Sequence, residues 1–179
     1  VARVTGKARY TQDIDLPGML IGRFVRSPYP HARIASIDST PAEEMEGVYG
    51  VWHCDRMPPV THLEGRALFP KELAYEGAEV AFVVARDEWI VDAALAAIKV
   101  KYEELPFAHD FRAATAADAP DGLAGESNWI NREGEVYERG DVESGLEDAD
   151  VVVELEFSTP VAAHCCLETH GSVAAWDGD

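Results

Sequence analysis

Cysteine, basic residues and long apolar runs are scarce in this sequence. Its 179 residues include three cysteines, too few for a disulfide framework. Cys165 and Cys166 are neighbours, and a disulfide between neighbours is strained. We therefore expect a reduced intracellular protein located in the cytoplasm. No apolar run approaches the roughly 20 residues of a membrane-spanning helix, and no signal peptide is visible.

Positive charge is also in short supply. The chain has 15 lysine and arginine residues against 33 aspartate and glutamate residues, and its formal net charge is −18. Nucleic acids and anionic membranes attract basic surfaces, so neither is expected as a partner. Residues 133–156 hold ten acids and one base, Arg139, a net charge of −9. This acidic stretch is either a solvated face or a docking surface for a basic partner.

Apolar periodicity and turn signals predict short strands and short helices. Strands are expected over residues 20–26, 32–38, 48–52, 80–85 and 98–103. One short helix should follow an N-cap at Thr40, with Pro41 in its first turn, and end at Gly47. A longer helix, capped by Asp87, should extend to Ala97 with one apolar face. The order predicts an α+β fold with mixed sheets and a few short helices.

Less regular segments complete the chain. A long loop is expected over residues 53–72, and a mobile linker rich in Ala, Asp and Gly over residues 108–131. Strands are then expected over residues 133–139, 150–159 and 171–176, with a short helix from a cap at Asp141 through Asp148. The predicted organisation is therefore residues 1–107, a linker at 108–131, and a strand–helix–strand segment at 132–179.

The segment His164-Cys-Cys-Leu-Glu-Thr-His170 contains residue types that bind metals. On a strand, His164, Cys166, Glu168 and His170 would share one face. Zinc sites, however, normally add a second ligand pair from elsewhere in the chain, and none is evident. We assign no metal ligands here and favour a packed strand-to-turn segment.

Two other histidines are candidates for catalytic groups. His31 follows Pro30 and could act as a general base, but the sequence places no nucleophile or carboxylate beside it. His53-Cys54-Asp55 resembles part of a Cys–His pair, but neighbouring residues on a strand point to opposite faces. No glycine-rich phosphate-binding loop is present either. Structural roles are therefore favoured, and no catalytic residue is assigned.

A series of segments carries a family resemblance. In chain order they are Val4-Thr-Gly-Lys-Ala-Arg-Tyr-Thr11, Asp13-Ile-Asp-Leu-Pro-Gly-Met-Leu20, Arg26-Ser-Pro-Tyr-Pro-His-Ala-Arg-Ile34, Gly47-Val48 with Trp52, Tyr75-Glu-Gly77 with the strand that follows, Val100-Lys-Tyr-Glu-Glu-Leu-Pro106, Gly140-Asp-Val142, Ala149-Asp-Val-Val-Val-Glu154, and His164 with Leu167-Glu-Thr-His-Gly171. Together they resemble the start of the large subunit of molybdenum hydroxylases, the relatives of xanthine dehydrogenase, aldehyde oxidoreductase and 4-hydroxybenzoyl-CoA reductase.

The resemblance implies the α/β-hammerhead fold, a small domain that precedes the molybdopterin-binding domains. Enzymes of this family hydroxylate aldehydes, purines or N-heteroaromatics with oxygen from water. A molybdenum–pterin centre accepts two electrons, which pass through iron–sulfur clusters, usually to FAD. The implied partners are the other domains of the large subunit, an iron–sulfur subunit and an FAD subunit.

The family's pterin loops and its metal-proximal glutamate are expected beyond Asp179. The resemblance therefore implies a chain that binds no cofactor itself, is inactive alone, and serves as a structural and docking domain. Within the matching segment, Glu168, His170 and Gly171 are candidates for packing near the cofactor or for positioning the groups that contact it.

Two other interpretations stay open. The chain could be a stand-alone acidic binding or scaffold domain that uses residues 133–156 as its contact surface. It could also be part of an enzyme of the 4-hydroxybenzoyl-CoA reductase type. In either case, an apolar end that includes Trp176 is expected to cause self-association of the chain.

Overall fold

The computed structural model describes residues 2–57, 61, 67–122, 127–129, 137, 139–166 and 168–177. The chain divides into two compact units. Residues 17–130 form the first unit, and residues 1–16 with 131–179 form the second. All the strands found in the described part of the chain belong to the first unit.

The described residues of this first unit form six strands. They are β1 (Ile21–Arg26), β2 (Ala32–Asp38), β3 (Val48–His53), β4 (Glu72–Leu73), β5 (Glu79–Ala85) and β6 (Lys99–Glu104). They form two three-stranded sheets, with strand orders β1-β5-β3 and β4-β2-β6. Every pairing is antiparallel. The predicted α+β class and five of the strands are confirmed, whereas the two residues of β4 are too few to show an alternation.

The described residues form four short α-helices, the last of which belongs to the second unit. They are α1 (Thr40–Glu43), α2 (Glu88–Ala97), α3 (Phe111–Thr115) and α4 (Val142–Glu147). The predicted caps of α2 and α4 are confirmed, because the Asp87 and Asp141 side chains accept hydrogen bonds from the backbone N–H groups of Ile90 and Ser144, each at 2.9 Å.

The start of α1 corrects the sequence prediction by one residue. The backbone N–H groups of Ala42 and Glu43 both donate to the carbonyl oxygen of Ser39, each at 3.0 Å. Ser39 is therefore the N-cap, and Thr40 is already helical. Pro41 still lies in the first turn, as predicted.

Strand β5 holds the core together because side chains on both of its faces pack in hydrophobic clusters, although Phe82 and Val84 are only half-buried. Ala81, Val83 and Ala85 pack in a cluster with Val91 and residues of α1, α2 and β3. Val80 packs in a second cluster with Ile34 of β2 and Leu73 of β4. A strand buried on both faces is expected to read as a continuous apolar run, and residues 80–85 do.

Two predicted strands are wrong. Residues 150–159 and 171–176 form no strand, and their side chains are exposed. Alternation of apolar and polar residues has the period of a strand, but a strand also needs a neighbouring strand to which its backbone can hydrogen-bond. Among the described residues, no strand pairs with either segment. The strand predicted over residues 133–139 lies almost entirely outside the described residues.

Helix α3 lies within the predicted linker and was not predicted from the sequence, because five residues are too few to show an apolar period.

Among the described residues, no helix has both the length and the apolar character needed to cross a membrane.

Candidate functional site

Histidine 53 ends strand β3 and is 2% exposed. Its Nε2 atom lies 3.1 Å from Oγ of Ser39, the N-cap of α1. Ser39 Oγ donates its single hydrogen to Oε1 of Glu43. Because that hydrogen is used, Ser39 can only accept from His53, so His53 carries its proton on Nε2. Arg56 completes the chain of contacts, with Nη1 3.1 Å from Oε2 of Glu43.

This tautomer leaves the Nδ1 lone pair of His53 facing the turn after β3. The backbone N–H of Asp55 donates to it over 3.3 Å, which is a long hydrogen bond. Burial lowers the pKa of His53 because the charged imidazolium is poorly solvated there. The ring is therefore held neutral, in one orientation, with a basic nitrogen directed at Asp55.

The two residues that follow are also perturbed. Burial raises the pKa of the Cys54 thiol, and the nearby Asp55 charge adds to the effect. Asp55 accepts a hydrogen bond from Lys71, with Oδ1 2.7 Å from Nζ, and this contact lowers the pKa of Asp55.

Ligand atoms of His53, Cys54 and Asp55 all lie within 4.8 Å of one another. This corrects the expectation that neighbouring residues would point to opposite faces. Strand β3 ends at His53, so Cys54 and Asp55 belong to a turn, where strand alternation no longer applies. Across the described residues, this is the one trio of His, Cys, Asp or Glu that close.

His31 lies beside a carboxylate, that of Glu72, which the sequence alone did not place there. Its Nδ1 donates to the carbonyl oxygen of Pro106 at 2.7 Å, and its Nε2 lies 3.2 Å from Oε1 of Glu72 in β4. Arg33 pairs with the same carboxylate at 3.4 Å. Both ring nitrogens are used to join β2, β4 and the end of β6, which favours the structural role. His31 also lines a cleft with Asp121 and Gly122.

The His164–His170 segment is exposed throughout its described part. Within the segment, Cys166 Sγ lies 3.3 Å from His164 Nδ1. Cys165 and Cys166 are free thiols. The described residues of the segment do not converge on a metal position.

The three candidates near the end of the chain have distinct surroundings in the second unit. Oε1 of Glu168 accepts a hydrogen bond from the backbone N–H of Thr11 at 3.2 Å. A Cβ placed on Gly171 would lie 3.3 Å from Cγ2 of the same threonine. Glu168 and Gly171 therefore contact the short 3₁₀ turn at Thr11–Asp13, whereas His170 is exposed.

Two family models match the chain in succession. Residues 5–106 match the aldehyde oxidase and xanthine dehydrogenase a/b hammerhead domain. Residues 126–179 match a molybdopterin cofactor-binding domain. The chain therefore belongs to the aldehyde oxidase and xanthine dehydrogenase family, the molybdenum hydroxylases, and most of the hammerhead match lies in its first unit.

Curated relatives and solved structures agree with this assignment. The chain is 35% identical to a probable xanthine dehydrogenase subunit of Bacillus subtilis, over 99% of this chain and 24% of the relative. The CO dehydrogenase structure from Oligotropha carboxidovorans is 40% identical, has a TM-score of 0.59, and matches over 66% of this chain and 16% of that one. The Desulfovibrio desulfuricans aldehyde oxidoreductase structure is 27% identical, has a TM-score of 0.60, and matches over 70% of this chain and 16% of that one.

The matches cover only part of each relative's length. The chain spans about a quarter of the length of the curated relatives it matches. The family resemblance seen in the sequence is confirmed, and the match to the cofactor-binding domain supports a parent protein that uses a molybdenum–pterin cofactor.

Proposed function

We propose that this chain supplies the hammerhead and the first segment of the cofactor-binding domain to the large subunit of a molybdenum-dependent hydroxylase. In this proposal residues 1–107 are the hammerhead core, residues 108–131 link the two parts, and residues 132–179 lead into the rest of the cofactor-binding domain. The succession of the two family matches along one chain carries the proposal.

The parent enzyme would oxidise a carbon next to a heteroatom or a carbonyl group, with oxygen taken from water. The similarity to a probable xanthine dehydrogenase subunit and to an aldehyde oxidoreductase favours a purine, an N-heteroaromatic or an aldehyde as the substrate. The electrons would leave through an iron–sulfur subunit to an FAD subunit. Because CO dehydrogenases are also similar to this chain, carbon monoxide belongs in the substrate panel.

We propose further that the chain alone is catalytically silent. The molybdenum–pterin group, when bound, supplies two-electron redox chemistry, and its phosphate requires cations or converging backbone N–H groups. The described residues from 137 to 177 are all exposed. Arg139 is the only lysine or arginine in that range. These residues do not fit the group by themselves, so we assign them no catalytic step.

The acidic stretch of residues 133–156 would be the docking face of this segment. Its described acids are exposed, and they include Asp141, which also caps α4, and Glu143 and Glu147 within that helix. Opposite charge on a partner subunit would steer association and fix its register. Glu143→Lys with Glu147→Lys should weaken capture of the partner subunits. Glu44→Lys with Glu46→Lys, which makes the same charge change in the first unit, serves as the control.

Expression of the chain alone in a host that makes molybdopterin tests the proposed silence. The purified chain should contain no molybdenum and should not reduce an electron-accepting dye with xanthine, an aldehyde or carbon monoxide. Stoichiometric molybdenum, or dye reduction with any of these substrates, would refute it.

A further inference from the structure

In the first unit, the turn after β3 brings together three side chains of types that can bind metals. Ligand atoms of His53, Cys54 and Asp55 lie within 4.8 Å of one another. A 2.9 Å hydrogen bond from the backbone N–H of Arg56 to the carbonyl of His53 closes the turn. We propose that this turn binds a thiophilic divalent cation of the zinc class, through one imidazole nitrogen, one thiolate and one carboxylate.

The surroundings of His53 are those of a metal ligand. Histidines that bind metals usually donate their other ring N–H to an acceptor, which fixes the tautomer and the ring orientation. Here Nε2–H donates to Ser39 Oγ at 3.1 Å, and Ser39 in turn donates to Glu43. Nδ1 is left to accept a cation, which would replace only the long 3.3 Å contact with Asp55 N.

The donor set selects the kind of metal. Magnesium and calcium take oxygen ligands, whereas zinc accepts nitrogen, sulfur and oxygen together. Three protein ligands leave the fourth tetrahedral position to water. Cys54 is a free thiol of intermediate exposure and would release its proton to solvent as the metal binds. The site would thus be an exchangeable one that closes the turn directly after β3.

Lys71 is the natural competitor for this site. Its Nζ lies 2.7 Å from Oδ1 of Asp55, so the ammonium group occupies one side of the carboxylate. A bound cation would have to use the other oxygen and would be repelled by the lysine. Lys71→Met, which removes the charge and keeps most of the stem, should therefore tighten metal binding severalfold.

Cobalt is a suitable probe because a cobalt–thiolate bond gives a charge-transfer absorption. The full chain with Cys165→Ser and Cys166→Ser should bind one equivalent of Co²⁺ with this absorption, and Zn²⁺ should displace it. Cys54→Ser in the same background should abolish the absorption and weaken Zn²⁺ binding by about tenfold or more. Asp55→Asn should weaken binding while the thiolate absorption remains.

Two controls keep the test decisive. Circular dichroism in the presence of a chelator shows whether each variant is folded. In the unsubstituted chain, Zn²⁺ should protect Cys54 from alkylation, with Cys165 as the internal reference in the same peptide map. The proposal is overturned if Cys54→Ser binds Co²⁺ with the same absorption, or if the absorption depends on Cys165 and Cys166 instead.

Discussion

The backbone N–H of Thr11 donates a hydrogen bond to Oε1 of Glu168, 3.2 Å away and 157 residues further along the chain. These residues come from the two segments at opposite ends of the family resemblance. Their contact lies within the second unit and joins the 3₁₀ turn at Thr11–Asp13 to Glu168. We propose that Glu168 holds this turn in position.

Glu168→Ala should release the Thr11 turn. An exposed hydrogen bond of this kind contributes about 1 kcal/mol, so the expected effect is faster amide exchange at Thr11 and faster tryptic cleavage after Arg9. Glu168→Gln keeps an oxygen acceptor and is the matched control. Equal protection of Thr11 in the two variants would show that the contact does not hold the turn.

Ser39→Ala should destabilise the hammerhead. The change removes the buried acceptor for His53 Nε2 and the part-buried donor to Glu43. A buried donor left without a partner costs roughly 1–3 kcal/mol. Chemical denaturation should show this loss for Ser39→Ala and almost none for Ser36→Ala, which lies on the exposed part of β2. Equal free energies of unfolding for the two variants would show that the hydrogen bonds from His53 to Ser39 and from Ser39 to Glu43 do not stabilise the fold.

Glu79 should make the hammerhead sensitive to acid. Burial alone would raise the pKa of Glu79, but hydrogen bonds from Arg26 at 2.8 Å and from Tyr75 at 3.0 Å outweigh it, and the pKa lies below its usual 4.5. A carboxyl group with a lowered folded-state pKa stabilises the protein above its unfolded pKa, and this stabilisation is lost as the pH falls through the folded value.

The unfolding free energy of Glu79→Gln should therefore fall below that of the unchanged chain at neutral pH. The difference should shrink as the pH is lowered beyond 4.5. Glu76→Gln, an exposed change three residues earlier, is the control. A difference that stays constant across this range would contradict the role of the Arg26 and Tyr75 contacts.

Trp176 should promote self-association of the chain. Its side chain is 90% exposed, and further exposed apolar side chains occur among residues 151–161. Trp176→Ser should reduce concentration-dependent light scattering, whereas Trp89→Ser, at an 87% exposed position of α2, should not. A chain that stays monomeric at high concentration, with Trp176 shielded from a quencher, would contradict this expectation.

Features that depend on residues close together in the sequence could be predicted, whereas contacts between distant residues could not. The Asp87 cap is local, so its position and its bond to Ile90 could be predicted. The glycine at position 47 is fixed locally too, since its φ of +90° favours glycine, and a Cβ there would meet Ile90 Cδ1 at 2.6 Å. Helix α1 nevertheless ends at Glu43, before the predicted stop at Gly47.

Longer-range contacts could not be predicted in the same way. Glu72 lies 41 residues from its partner His31, and His53 lies 14 residues from Ser39. No periodicity specifies such pairs. The approach of Cys54 and Asp55 to His53 depended on the residue at which β3 ends, and strand ends are not fixed by alternation. The alternation over residues 150–159 likewise could not specify a pairing partner.

Co-purification from the source organism tests most directly whether this chain works inside a molybdenum hydroxylase. Antibody capture of the chain, followed by elemental analysis and identification of the bound polypeptides, should recover molybdenum and iron together with larger partner polypeptides. Capture of a metal-free complex with an unrelated basic protein would contradict the claim and favour a scaffold role for the acidic stretch.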